Sequence, residues 1–142
     1  QPVVAFTGDG GLGMTLAEIE TTVRLALPIV AIVFNDAALS LIKIKQRATG
    51  QGGGEAVDYG PVSYARAAEA MGAAAVVVRA EAELARALAA ALRRNGPTVI
   101  DALVDPASYP MIMDLSRGEA GRQPAPRVRQ PSRWEKLPRG SS

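Results

Sequence analysis

The stretch TGDGGLGM, Thr7 to Met14, restricts what this chain can become more than any other. Gly8, Gly10 and Gly13 spell G-x-G-x-x-G, the pattern of a turn whose backbone N–H groups approach phosphates closely. Between the first two glycines stands Asp9. A carboxylate inside a cradle for anions needs a physical reason, and the flanking residues narrow the choice.

Val3–Thr7 is a β-rich apolar run leading into the turn, the pattern of a buried strand. Beyond the turn, Thr15 and Glu18 have the spacing of a capping box. Leu16, Ile19, Val23 and Leu27 recur on one helical face. These features predict a helix that starts near Thr15 and points its positive end at the glycines. The run IVAIVF, Ile29–Phe34, is continuously apolar, as in a parallel strand buried on both faces, and stops at Asn35-Asp36. Ala38–Gln46 reads as a short helix, and the stretch around Gly50–Gly54 as a glycine-rich loop, either a lid or an inert linker. Pro61 predicts a helix start and Gly72 its end. Ala73–Val78 reads as a strand, Glu81–Arg94 as a helix with Leu84, Leu88 and Leu92 on one stripe, and Thr98–Val104 as a buried strand. The alternation predicts an α/β fold, an open parallel sheet with helices on both faces. Ligands of such sheets bind beyond the carboxyl ends of strands, here Gly8–Gly11 and Asn35–Ala38.

Composition limits the chemistry. The 142 residues include no Cys and no His, so thiolate zinc sites and imidazole bases are absent. Catalysis would rest on carboxylates, amides, backbone dipoles, a hard metal ion or an organic cofactor. The net charge of +2 is uneven: from Arg117 onward seven basic residues face two acidic ones. That tail is Pro-rich, has no apolar period and reads as an extended segment over residues 119–142, its KLPRGSS end resembling a cloning scar. Little aromatic interleaving accompanies its charge, so no nucleic-acid partner is expected. No run is long and apolar enough for a membrane span and no signal peptide is evident, so a cytoplasmic protein is expected.

Two readings of the turn remain on these grounds. In a dinucleotide fold, Asp36, twenty-three residues after Gly13, would hold a ribose hydroxyl. Asp9 would then repel the pyrophosphate by several kcal/mol at an effective dielectric of ~20, and no Lys or Arg lies between Gln1 and Arg24 to offset it. In the second reading a divalent cation stands between. Asp9 and the Asn35 amide give it oxygens, a backbone carbonyl just beyond gives a third, and phosphate oxygens and water complete the shell. Gly10 and Gly11 then offer N–H donors to the phosphates.

The segment GDGGLGMTLAEIETTVRLALPIVAIVFND resembles the thiamine diphosphate-binding motif: Gly-Asp-Gly, a spacer of under thirty residues, and an apolar strand ending in Asn. Further stretches, among them VDYGPVSYARAAEAMGA, GPTVIDALVDP and YPMIMDLSRG, resemble the cofactor-diphosphate domain of the acetolactate synthase and 2-oxoacid decarboxylase group. The likeness covers Val3 to about Gly118, so residues 1–118 are expected to form that domain. It implies thiamine diphosphate and Mg²⁺ as cofactors. The implied Mg²⁺ ligands are the side chains of Asp9 and Asn35 and the carbonyl of Ala37. The implied cofactor contacts are Gly8, Asp9, Gly10, Gly11 and Asn35, with Ser40, Leu41 and Ile42 near the diphosphate and thiazolium. Core packing in a short helix is the plain alternative for Leu41 and Ile42. Asp36 stands where many members have a second Asn, and the preferred reading makes it a turn residue holding local N–H groups. Lys43, Lys45 and Arg47 read as a solvated face.

The resemblance also implies what this segment lacks. The glutamate that activates the cofactor belongs to a pyrimidine-binding domain of the same or a neighbouring subunit, so no catalytic residue is expected here. The chain reads as part of a longer homo-oligomeric 2-oxoacid decarboxylase or carboligase, inactive by itself. A stand-alone subunit of a split decarboxylase, a non-enzymatic binding module and an NAD-binding domain are the alternatives.

Overall fold

A computed structural model describes residues 1–48, 56–58 and 60–109. The Gly50–Gly54 stretch and the basic tail lie outside them. Four strands, β1 (Val3–Gly8), β2 (Ile29–Asn35), β3 (Ala74–Val78) and β4 (Thr98–Leu103), form one sheet in the order β1-β2-β4-β3. All three pairings are parallel, with Val3 opposite Ile29, Val30 opposite Thr98, and Ala74 also opposite Thr98.

Right-handed crossovers decide which face each helix covers. From β1 to β2 and from β2 to β3 the chain moves in one direction across the sheet, and from β3 to β4 it steps back. Helices α1 (Asp9–Thr15), α2 (Glu18–Arg24) and α4 (Tyr64–Ala70) therefore share a face, where Leu12, Ile19, Tyr64 and Ala68 pack on Ala31, Val33 and Val99. Helix α5 (Glu81–Ala91) covers the other, setting Leu84, Leu88 and Ala91 on Val30, Ile32 and Ile100. Val30, Ile32, Val33, Val99 and Ile100 are essentially inaccessible. Each such side chain contributes about 1.5–3 kcal/mol by leaving water, which explains the apolar runs of the two inner strands, interrupted only by Asp101 in TVIDAL.

Local signals fared unevenly. Gly72 ends α4 as expected, with φ +93° and its N–H on the Glu69 carbonyl at 2.9 Å. The α4 start differs: Ser63, not Pro61, caps it by accepting the Arg66 N–H at 3.3 Å. Leu92 falls just past α5 and is 40% exposed, so the leucine stripe shortens to Leu84 and Leu88. β1 is not the buried strand its composition suggests. It has a single neighbour among the described residues, and Val3 and Phe6 are 57% and 67% exposed. No helix among the described residues is long and apolar enough to cross a membrane.

Candidate functional site

The carboxyl ends of β1 and β2 open onto a cavity of about 390 Å³. Gly8, Asp9, Gly10 and Gly11 line it from the first strand; Phe34, Asp36, Ala38 and the Leu39–Ile42 segment line it from the second. These are the two strand ends that the sequence singles out.

The glycine segment is not a loose turn ahead of a later helix. It is itself helical: α1 begins at Asp9, directly after the Gly8 cap. The capping box at Thr15 does not form. Thr15 Oγ1 donates back to the Gly11 carbonyl at 3.3 Å, and α2 starts after Ala17 with no side-chain cap. Three glycines in a seven-residue helix oppose helix formation by roughly 1 kcal/mol each relative to Ala, so packing must require at least one of them. Gly11 is such a position, since a Cβ there would come within 2.6 Å of Thr7 Oγ1.

Asp9 is 4% exposed and bridges both strand ends. One carboxylate oxygen accepts the Gly10 N–H at 2.7 Å in the first turn of α1. The other accepts the Ala38 N–H at 3.3 Å from beyond β2. Asn35, wholly buried, donates its Nδ2 to the Val62 carbonyl and to Asp101 Oδ1, each at 2.9 Å. Its Oδ1 accepts the Ala37 N–H at 3.3 Å. The turn that brings these groups together holds Ala37 at φ +59°, a left-handed conformation that costs a non-glycine residue about 1 kcal/mol or more. Asn35 and Ala37 lie behind the cavity wall and do not line it.

Asp36 does act as a turn residue. It accepts the Ala38 N–H at 3.2 Å and the Ser40 hydroxyl at 2.5 Å, which fixes the start of α3 (Ser40–Ala48). Burial pushes its carboxyl above the usual aspartate range; the Ser40 bond works against that shift and the Asp9 charge adds to it. Leu41 and Ile42 are 67% and 49% exposed at the cavity, which removes the core-packing alternative. Lys43 is not merely solvated, since its ammonium pairs with Asp58 at 2.6 Å. Lys45 is exposed, and the Arg47 side chain lies outside the description.

Sequence reasoning missed three contributors. Phe34, stacked on Phe6 with ring centroids 6.2 Å apart, adds an apolar wall. Tyr109, just past the short 3₁₀ turn Pro106–Ser108, reaches the cavity and hydrogen-bonds Asp36. Burial, followed by the charge of Asp36, drives its phenol up to about 12. Asp101, wholly buried on β4, holds Asn35 and accepts the Ala65 N–H at 3.2 Å. The signal for Asp101 was present as a lone carboxylate in the apolar run TVIDAL.

The side-chain acceptors gathered here are oxygens: the Asp9 and Asp36 carboxylates at the cavity and the Asn35 amide behind it. That chemistry suits a hard divalent ion and not a soft one. Among the described residues no three Asp, Glu, His or Cys side chains converge on one point. An ion held here would therefore share its shell with ligand oxygens.

Comparison with known proteins bears on the fold and the family. The sequence profile of the thiamine pyrophosphate enzyme C-terminal TPP binding domain matches residues 1–102. The acetolactate synthase of Bacillus subtilis (strain 168) is 36% identical over 105 residues, 74% of this chain but 18% of that protein. The 2-hydroxyacyl-CoA lyase of Oryza sativa subsp. japonica is 36% identical over 112 residues, 73% of this chain and 19% of its own length. The chain thus spans about a fifth of these relatives. The crystal structure of benzoylformate decarboxylase from Polynucleobacter necessarius shares the fold, with a TM-score of 0.70 at 24% identity over 73% of this chain and 20% of that one. With the profile covering most of its length, the chain belongs to the thiamine pyrophosphate enzymes, as their C-terminal cofactor-binding domain.

Proposed function

We propose that this chain holds the diphosphate of thiamine diphosphate through Mg²⁺, as one part of an enzyme that decarboxylates or joins 2-oxo acids. The observation that carries the reading is the contact of Asp9 with Ala38, at the end of the Asn35–Ala38 turn, where both residues line one cavity. Asp9 and Asn35 would give side-chain oxygens to the cation and Ala37 its carbonyl. The N–H groups of Gly11 and of Gly10, the latter once released from Asp9 Oδ1, would face phosphate in the first turn of α1. Gly8 lets the backbone pass close to the ligand, Ser40 offers a hydroxyl, and Leu41 and Ile42 shield the thiazolium side from water. When bound, thiamine diphosphate would supply a carbanion nucleophile and a sink for the electron pair of the C–C bond that breaks as CO₂ leaves.

The matched segment is about a fifth of each of these relatives, which supports a site completed elsewhere. We assign the activating carboxylate and the pyrimidine pocket to another domain of the same or a neighbouring subunit, within a homo-oligomer. Residues 1–118 form the binding domain and residues 119–142 a basic extension. The chain alone is then inactive and acts as a cofactor-holding part.

Thermal unfolding tests this directly. A ligand that binds only the folded state raises the midpoint by mass action. Thiamine diphosphate with Mg²⁺ should raise it; either alone, or NAD⁺, should not. Equal stabilisation without Mg²⁺ would overturn the metal-bridged reading.

A further inference from the structure

We propose that Asp101 is a positioning residue for the metal site: its buried carboxylate sets the Asn35 amide so that Oδ1, and not Nδ2, is available to the cation. This rests on the metal-bridged reading above and extends it to a residue on a different strand, sixty-six positions away.

An asparagine amide is nearly symmetric in shape, so its orientation is decided by its partners. Two acceptors meet one end of Asn35: the Val62 carbonyl and Asp101 Oδ1, both at 2.9 Å. Neither has a proton to offer. The Asp101 carboxylate is an acceptor at both oxygens, the second taking the Ala65 N–H at 3.2 Å. An inverted Asn35 would set oxygen against oxygen twice at a site with no solvent access, and would turn Nδ2 towards the Ala37 N–H. Each buried group left unpaired costs about 1–3 kcal/mol. Both Nδ2 protons are therefore committed to the interior, and Oδ1 is turned to the Ala37 turn that also carries the Asp9 contact. Partners of a metal ligand that orient it in this way govern affinity although they never touch the ion.

The sequence holds two asparagines, Asn35 and the exposed Asn95, so selective ¹⁵N-asparagine labelling of the whole chain gives two side-chain amide signals. The Asn35 amide protons should exchange with solvent far more slowly than those of Asn95; equally fast exchange overturns the proposal whether or not any variant folds. In Asp101→Asn one acceptor oxygen becomes a donor. The Mg²⁺ concentration giving half of the thiamine diphosphate stabilisation should rise about tenfold, and the full shift should return at saturating Mg²⁺. A purely structural role would lower the midpoint equally at every Mg²⁺ concentration, and that result overturns the proposal while leaving the metal reading standing. A wild-type chain that shows no Mg²⁺-dependent shift overturns both.

Discussion

The Asp9 carboxylate accepts the Ala38 N–H at 3.3 Å, joining positions 29 apart across the ends of two neighbouring strands. The same side chain closes the first turn of α1 by accepting the Gly10 N–H. The acid between the glycines is thus a structural clip. Asp9→Ala should lower stability by about 1–3 kcal/mol, because two N–H groups lose their acceptor. It should also abolish the Mg²⁺-dependent response to thiamine diphosphate. Chemical denaturation gives the first quantity and thermal shift the second. Asp9→Asn retains one acceptor and should recover part of the stability but not the metal response.

Asp36 supplies a pH signature. Its folded-state pKa lies above the ordinary value of 3.8, mainly through burial. The folded state then binds the proton more tightly than the unfolded one, so the contribution of Asp36 to stability is fully present below 3.8 and is lost as pH rises through the shifted value. Asp36→Asn keeps an acceptor oxygen for the Ala38 N–H and turns its amide group to the Ser40 hydroxyl, which can rotate to accept, so the variant should be more stable than wild type at neutral pH. That advantage should vanish in acid. Midpoints measured for both proteins from neutral to acidic pH check it, and a constant difference would contradict the assignment.

Tyr109 should ionise near 12. A phenol raised from 10 favours the folded state below 10, and that contribution is lost as pH climbs from 10 towards 12. Phenolate absorbance should show a late step that is missing in Tyr109→Phe. Tyr64 is also shifted upward, by burial and then by Asp9 and Asp101, so Tyr64→Phe serves as the companion variant.

Gly11 sets helix propensity against packing. Alanine is better in a helix by about 1 kcal/mol, yet its Cβ would sit 2.6 Å from Thr7 Oγ1. Gly11→Ala should be net destabilising, by about 1–3 kcal/mol where the neighbour cannot yield. Thr7→Ala removes the opposing oxygen, so the double variant should be more stable than Gly11→Ala alone. Denaturation of the three variants completes the cycle.

Several features of this protein could be read without coordinates because they depend on near neighbours in the chain. Alternating apolar runs announced the strands and helices, since a strand buried on both faces must be continuously apolar. Gly72 announced a helix end because only glycine accepts its φ cheaply. The Gly-Asp-Gly and Asn35 spacing announced two strand ends side by side, because it is long enough for the chain to return through helices and rise again along the parallel neighbour. Other features were decided by tertiary structure. Helix α1 starts at Asp9, against the local preference of its glycines, where the Asp9 carboxylate ties it to the Ala38 N–H and Thr7 leaves no room for a side chain at Gly11. β1 is exposed because strand order, not composition, sets who stands beside it. Asp101 and Tyr109 join the site from beyond β3, where no sequence period records them. A buried carboxylate finds its meaning only in the donors that folding brings to it, and those donors come from other strands and turns.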